Sequence, residues 1–336
     1  MDEEVQGHET SPVLTLEVMS FEEFDASIAV VNGRTVLTAR EKAPFRQETL
    51  YLEGVGLQVS QEGGANYYEG EGLAGQVGIF VGLPSPTQIR ALGVTMDEKS
   101  LLLARPGAPL YSHSADVSRY ACLFMPVEQF IESVDRFDPT QTERLMTGTE
   151  HLEISPATWR VLVSLVNRIM TAAASDNAFQ SRAAQRAMAE ELTSVFIGAS
   201  ATSFDSEMAR GRREIPRQQV VSRVCELLES PSRHLESVAT LARRAEVSER
   251  TLRTVVREHF GLPLKQLIAC RQLRKIRISL RDARPGETVS RIAARHGVWD
   301  WGRFAQRYMA VYGELPSTTL AAARPGGNSD KPHATG

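Results

Sequence analysis

Along the chain, the spacing of apolar residues changes twice. From Val13 to about Pro126 they fall in short runs: VLTLEV, TLYLEGVGLQVSQ, QVGIFVGL, IRALGVTM, SLLLARPG and RYACLFMP, divided by breaks such as EGGAN and GLPSP. β-Prone runs of this length, bounded by Gly, Pro, Asn and Asp, predict strands, and many in succession predict a barrel-like or sandwich arrangement. From Val127 to about Ser200 the period becomes helical. SPATWRVLVSLVNRIMTAAA opens with Ser155 as a cap and Pro156 at the first helical position, and Leu162, Leu165, Val166, Ile169 and Met170 line one face. That stripe serves equally to pack on the strands or to pair two copies of the chain. A second helix is predicted from about Gln180 to Phe196. ATSFDSEMARGRREIPRQ then breaks all periodicity, so residues 201–216 read as a linker. Residues 217–322 are helical in pattern with short turns, while 1–12 and 323–336 are polar and read as a disordered lead and tail.

The helical segment contains a repeat. LARRAEVSERTLRTVVREHFG (Leu241 to Gly261) matches IAARHGVWDWGRFAQRYMAVYG (Ile292 to Gly313). Leu241 and Ala242 correspond to Ile292 and Ala293. Leu252, Val256, Phe260 and Gly261 correspond to Phe304, Tyr308, Tyr312 and Gly313, the offset growing from 51 to 52 residues across the turn. Each copy predicts a helix, a tight turn and a second helix, with a small alanine where the helices cross. That is a helix-turn-helix, here at about 235–260 and 288–312. Between the copies, PLKQLIACRQLRKIRISLR runs without a breaker from Pro263 to Arg281. As one helix it spans roughly 28 Å, close to the ~34 Å between successive major grooves on one face of DNA.

Charge follows the same division. The net charge of −3 combines about 23 Arg and Lys against about 11 Asp and Glu from Arg210 to Arg324 with a strongly acidic remainder. A basic segment joined to an acidic one is the pattern of a nucleic-acid binder with a separate control module. The three cysteines, Cys122, Cys225 and Cys270, are far apart and form no metal or disulfide pattern. The acidic N-terminus is not a signal peptide, and no apolar run is long enough for a membrane span, so a cytoplasmic protein is expected.

Stepping 100° per residue from the shared core positions separates the residues that hold from those that read. Leu252, Val256 and Phe260 face the core of the first recognition helix. Arg250 and Thr254 then point away, flanked by Thr251 and Arg257, with Arg253 placed at the side for phosphate. In the second, Phe304 and Tyr308 face inward, and Gly302, Arg303 and Gln306 outward, with Arg307 a phosphate candidate. Arginine pairs bidentately with guanine and glutamine with adenine, and Gly302 lets the backbone approach. Trp299 and Trp301 read as structural. With Asp300 as cap, Trp299 and Phe304 are the two ends of a hydrophobic staple, and Trp301 lies on the core side of the first turn.

Other motifs do not carry chemistry. GEGLAG (Gly70 to Gly75) has dinucleotide-loop spacing but precedes a strand, so it reads as a hairpin turn. His113 lacks a histidine partner, and Cys122 sits in an apolar strand. No cofactor, metal or catalytic residue is expected, and the chain does not read as an enzyme.

Residues 217–322, ending in GRFAQRYMAVYGELPSTTL, resemble the DNA-binding domain of AraC/XylS transcription regulators, with the XylS-like branch nearest. The chain departs from that pattern at Glu246, where glycine is common, and at Val298, where phenylalanine is usual. The resemblance implies an α+β protein. Its N-terminal β-rich barrel-like sensor and dimerisation domain (13–200, with strands to about 126 and helices 127–200) precedes an all-α domain of two helix-turn-helix units joined by a long helix. It implies an effector-responsive activator whose partners are double-stranded DNA, RNA polymerase, a small-molecule effector (an aromatic or other small carboxylate) and a second copy of itself. Arg90, Arg105 and Arg119 are the candidate partners of such a carboxylate. Two alternatives stay open: control by a protein partner without a ligand, and an enzyme domain fused to a DNA-binding module.

Overall fold

Thirteen strands and twelve α-helices occur among the residues that the computed structural model describes, 13–28, 31–147, 150–174, 181–205, 217–229 and 237–323. The expected lead, the expected tail beyond Ala323 and the linker from 206 to 216 lie outside them. The strands are β1 (Val13–Met19), β2 (Val31–Leu37), β3 (Phe45–Leu52), β4 (Val55–Glu62), β5 (Asn66–Gly72), β6 (Gln76–Gly82), β7 (Arg90–Ala91), β8 (Val94–Thr95), β9 (Ser100–Ala104), β10 (Pro109–Ser114), β11 (Ser118–Pro126), β12 (His151–Glu153) and β13 (Phe204–Asp205). The helices are α1 (Phe21–Ser27), α2 (Val127–Phe137), α3 (Thr142–Thr147), α4 (Pro156–Ala173), α5 (Arg182–Ala201), α6 (Arg217–Glu229), α7 (Val238–Arg244), α8 (Glu249–Phe260), α9 (Leu264–Arg281), α10 (Val289–Arg295), α11 (Trp301–Tyr312) and α12 (Pro316–Ala322). The chain divides into two units. One comprises residues 1–34, 43–63 and 68–213, the other residues 35–42, 64–67 and 214–336.

The strands form two open sheets with a shared core, the sandwich of the two expected arrangements and not a closed barrel. One has eight strands in the order β1-β3-β4-β11-β6-β9-β12-β13, the other five in the order β2-β5-β10-β7-β8. Alternation along the strands gives the large sheet two buried faces. One packs Phe80, Leu102, Tyr120, Cys122 and Phe124 against Tyr68, Ala91 and Leu110 of the small sheet. The other packs Leu57, Ile79, Leu101 and Leu123 against Phe130 of α2, Leu162, Leu165, Val166 and Ile169 of α4, and Leu192 and Phe196 of α5. The apolar stripe of α4 is therefore used inside the fold.

Several sequence expectations are corrected here. TLYLEGVGLQVSQ is two paired strands, β3 and β4, turned at Gly54 with φ +82°. GEGLAG does not close a hairpin, because β5 and β6 belong to different sheets. The 127–200 segment is not purely helical, since β12 adds to the large sheet beside β9. The start of the expected linker is ordered, with Ala201 ending α5 and Phe204–Asp205 forming β13. Cys122 is fully buried, and burial pushes its thiol pKa well up, as suits a core residue.

Candidate nucleic-acid interface

The second unit repeats one local design. In the first copy α7, capped by Ser237, turns into α8, where Ser248 accepts from the Thr251 N–H at 3.0 Å. In the second, α10 is capped by Thr288 and α11 by Asp300, which accepts from the Arg303 N–H at 3.1 Å. Each turn closes on the same backbone bond, Val247 N–H to Ala242 O at 3.0 Å and Val298 N–H to Ala293 O at 3.1 Å. Each carries one left-handed residue at the equivalent place, Glu246 with φ +58° and Gly297 with φ +75°. Both recognition helices stop at a left-handed glycine, Gly261 and Gly313. Ala242 and Ala293 are buried where the paired helices meet.

The faces divide as the repeat implies. Leu252, Val256 and Phe260 are buried in α8, and Phe304, Tyr308 and Val311 in α11. Arg250, Thr251, Arg253, Thr254 and Arg257 are exposed on the first helix, and Gly302, Arg303, Gln306 and Arg307 on the second. Two of these side chains already have work within the helix. Thr251 Oγ1 lies 2.8 Å from Ser248 Oγ at the cap, and Arg253 Nη2 pairs with Glu249 Oε2 at 2.7 Å. No heavy atom lies within 4 Å of where a Cβ on Gly302 would stand, so that stretch of backbone is open to a close approach. Trp299 and Trp301, read as structural, are among the exposed residues. Trp299 is 74% exposed and Trp301 40%. A helical wheel gives a residue's direction but not its depth, and in the first turn of α11 burial is confined to Phe304.

The anchors of the two turns escaped the sequence reading because they come from elements outside the repeat. Arg223 of α6 donates from Nε to Arg244 O at 3.1 Å and pairs through Nη2 with Glu246 at 3.2 Å. Gln272 of α9 donates to His296 O at 2.7 Å, and Ser279 lies 2.9 Å from His296 Nε2. Arg277 of α9 is a third anchor. Its Nη1 reaches Glu314 at 2.7 Å and the Tyr308 hydroxyl at 3.3 Å, and its guanidinium lies 4.4 Å from the Tyr312 ring centroid. α9 itself is unbroken over 18 residues, about 27 Å long.

A helix-turn-helix domain model matches residues 241–322, spanning α7 to α12. This segment is a helix-turn-helix domain. In Pseudomonas putida, XylDLEGF operon transcriptional activator 3 is 36% identical over 99 residues, which cover 29% of this chain and 30% of that protein. XylDLEGF operon transcriptional activator 2 is 32% identical over 100 residues, 30% of this chain and 64% of that protein. The match to the first relative thus spans less than a third of its length. Among solved structures, the AraC-like transcriptional activator CuxR aligns over 84% of this chain and 98% of its own at 13% identity and a TM-score of 0.40. ToxT of Vibrio cholerae aligns over 80% and 97% at 14% identity and a TM-score of 0.28. The left-handed Glu246 lies inside the matched domain, so its turn holds the conformation that Gly297 holds in the second copy without a glycine.

Two of the candidate effector residues already have partners within the fold. Arg90 Nη2 donates to Gly93 O at 2.6 Å in the small sheet, and Arg105 pairs with Glu150 at 2.7 Å. Arg119 lies on β11 opposite Gln61 of β4. Among the described residues no group of three or more His, Cys, Asp or Glu is placed to hold a metal ion, and no helix is long and apolar enough to cross a membrane.

Proposed function

We propose that the chain is a DNA-binding transcription regulator, acting as an activator in the cytoplasm rather than as an enzyme, with RNA polymerase as a partner. The observation that carries this reading is the pair of helix-turn-helix units with matched turns, each presenting exposed Arg and polar side chains on its recognition helix. In this reading Arg250, Thr254, Gly302 and Gln306 meet base edges. Arg253, Arg257, Arg303 and Arg307 meet phosphates and Thr251 supports the cap. α9 holds the two recognition helices one groove apart on double-stranded DNA. The test is binding of the full chain to duplex DNA at increasing salt. Affinity should fall steeply, because each neutralised phosphate releases counterions. A flat response up to a few tenths molar salt refutes the two-groove arrangement.

The N-terminal unit (13–200) is proposed as the sensor and as the site of pairing between two copies. A small-molecule effector is favoured over control by a protein partner because neutral polar atoms are left unpartnered between the two sheets. Gln47 and Gln58 both donate to Ser27 O, at 2.6 and 3.4 Å, while their carbonyl oxygens and the Tyr68 hydroxyl have no partner and are buried. Buried polar atoms cost about 1–3 kcal/mol each when unpaired. Of these groups the Tyr68 hydroxyl would donate to an aromatic or other small carboxylate, while the two carbonyl oxygens would accept from a hydroxyl on the ligand. A thermal-shift panel of organic acids and neutral polyols on the full chain tests this, since a bound ligand raises the melting point by mass action. No shift with any of them would favour the protein partner.

A further inference from the structure

Two exposed tryptophans flank the cap of α11, Trp299 more open than Trp301. Trp159, in the N-terminal unit, packs against the helix-covered core and donates from Nε1 to Gly82 O at 2.9 Å. Trp299 and Trp301 make no such bond among the described residues, and they are 74% and 40% exposed. An indole is a large apolar surface with a polar edge, and its burial is a major stabilising contribution. Two left exposed within three residues form a contact surface that the fold itself does not use. The first unit has no counterpart, with Val247 before its cap and Glu249 after it.

The surroundings identify the partner. The same helix exposes Gly302, Arg303, Gln306 and Arg307, and the preceding helix exposes Arg291 and Arg295. The carboxylate of Asp300, between the tryptophans, accepts the Arg303 N–H at 3.1 Å and caps the helix. The positive end of the helix dipole adds to this cationic rim. An apolar pair set in a cationic, donor-rich surface suits a polyanion that carries isolated apolar groups. The major groove of duplex DNA is such a surface, because thymine places its C5-methyl among the hydrogen-bond acceptors of the base edges.

We propose that Trp299 and Trp301 are base-reading residues, whose indoles seat thymine methyl groups where α11 enters the major groove. Gly302, with nothing near its Cβ position, lets the helix backbone come close enough for them to reach. The proposal rests on the DNA-binding reading of this helix and adds to it an apolar contact that the arginines and Gln306 cannot make. Burying one methyl corresponds to about a fourfold gain in affinity.

The test begins with the full-length chain selecting duplexes from a random pool. The best duplex is then remade with one dT at a time replaced by dU, which removes only the methyl. One or two positions beneath the second unit should each lose about fourfold in affinity for the unaltered protein. In the Trp299→Ala, Trp301→Ala double variant those penalties should vanish, while the slope of affinity against salt stays the same. Trp301→Leu, which keeps apolar surface, should retain part of the penalty. If no dU position weakens the unaltered protein, or if the penalty persists in the double variant, the proposal is overturned. The dU scan on the unaltered protein decides this even where a variant fails to fold. If no duplex is selected at all, the DNA-binding reading fails first.

Discussion

Gly297 and Glu246 hold the same place in the two turns, and substituting each measures what a left-handed backbone costs there. Gly297→Ala adds only a Cβ, and nothing lies within 4 Å of its position, so no clash contributes. What remains is a φ of +75°. That region costs a non-glycine residue about 1–2 kcal/mol. Alanine also has fewer unfolded conformations to lose, which offsets about 0.4–1 kcal/mol. The expected net loss is therefore about 1 kcal/mol. With a urea m-value of about 1–3 kcal/mol/M, the unfolding midpoint of the second unit should fall by roughly 0.3–1 M. Glu246→Gly runs the other way. Its relief of backbone strain is opposed by the greater unfolded freedom of glycine and by loss of the Arg223 ion pair, whose side chains are 53% and 72% exposed. A pair that exposed contributes at most about 1 kcal/mol. Its midpoint should stay close to that of the unaltered chain. The assay is urea unfolding of each full-length variant followed by helical circular dichroism, to which the all-α second unit contributes strongly. An unchanged or raised midpoint for Gly297→Ala would refute the reasoning, as would a loss for Glu246→Gly as large as that for Gly297→Ala.

Two further outcomes are expected. Arg250→Ala should weaken binding to a selected duplex by about 1–3 kcal/mol and relax the preference at one base pair; a loss spread equally over unrelated sequences would show that Arg250 touches only phosphate. His296, partly buried with Arg295 and Lys275 nearby, is held below its ordinary pKa of 6.5. As pH falls past 6.5 the unfolded chain takes up the proton first, so stability present above that value is lost as pH drops toward the lower folded pKa. Melting curves between about pH 7.5 and 5.5 should show this loss, and His296→Gln should reduce it; equal acid sensitivity in the variant would remove His296 as the cause.

What could be read from the sequence was mostly local. Caps at Ser248 and Asp300, the stop at Gly313 and the spacing of Leu252, Val256 and Phe260 depend on residues within one or two turns, and the structure places each as the spacing implies. The sheets were legible as strands but not as partners. Pairing β9 with β12 joins residues some fifty positions apart, and no periodicity records it. The tryptophans show the same limit at the candidate interface. Periodicity gives an angle around the helix and carries no information on how deep Trp301 lies or on Trp299, which precedes the helix. Arg223, Gln272 and Arg277 act across elements, so nothing in their immediate sequence marks them as anchors.

The bond of Arg277 to Glu314 and its stacking on Tyr312 have a consequence for the DNA sites themselves. Arg277 ties the end of α11 to an unbroken α9, and on the proposed DNA-binding reading this resists a swivel of the second recognition helix toward a displaced half-site. One inserted base pair turns that half by about 34–36° around the duplex axis and moves it by about 3.4 Å. The protein would thus measure phase as strictly as it reads letters. A genome could hold many copies of both half-sites, and only those separated by one fixed gap would be operators.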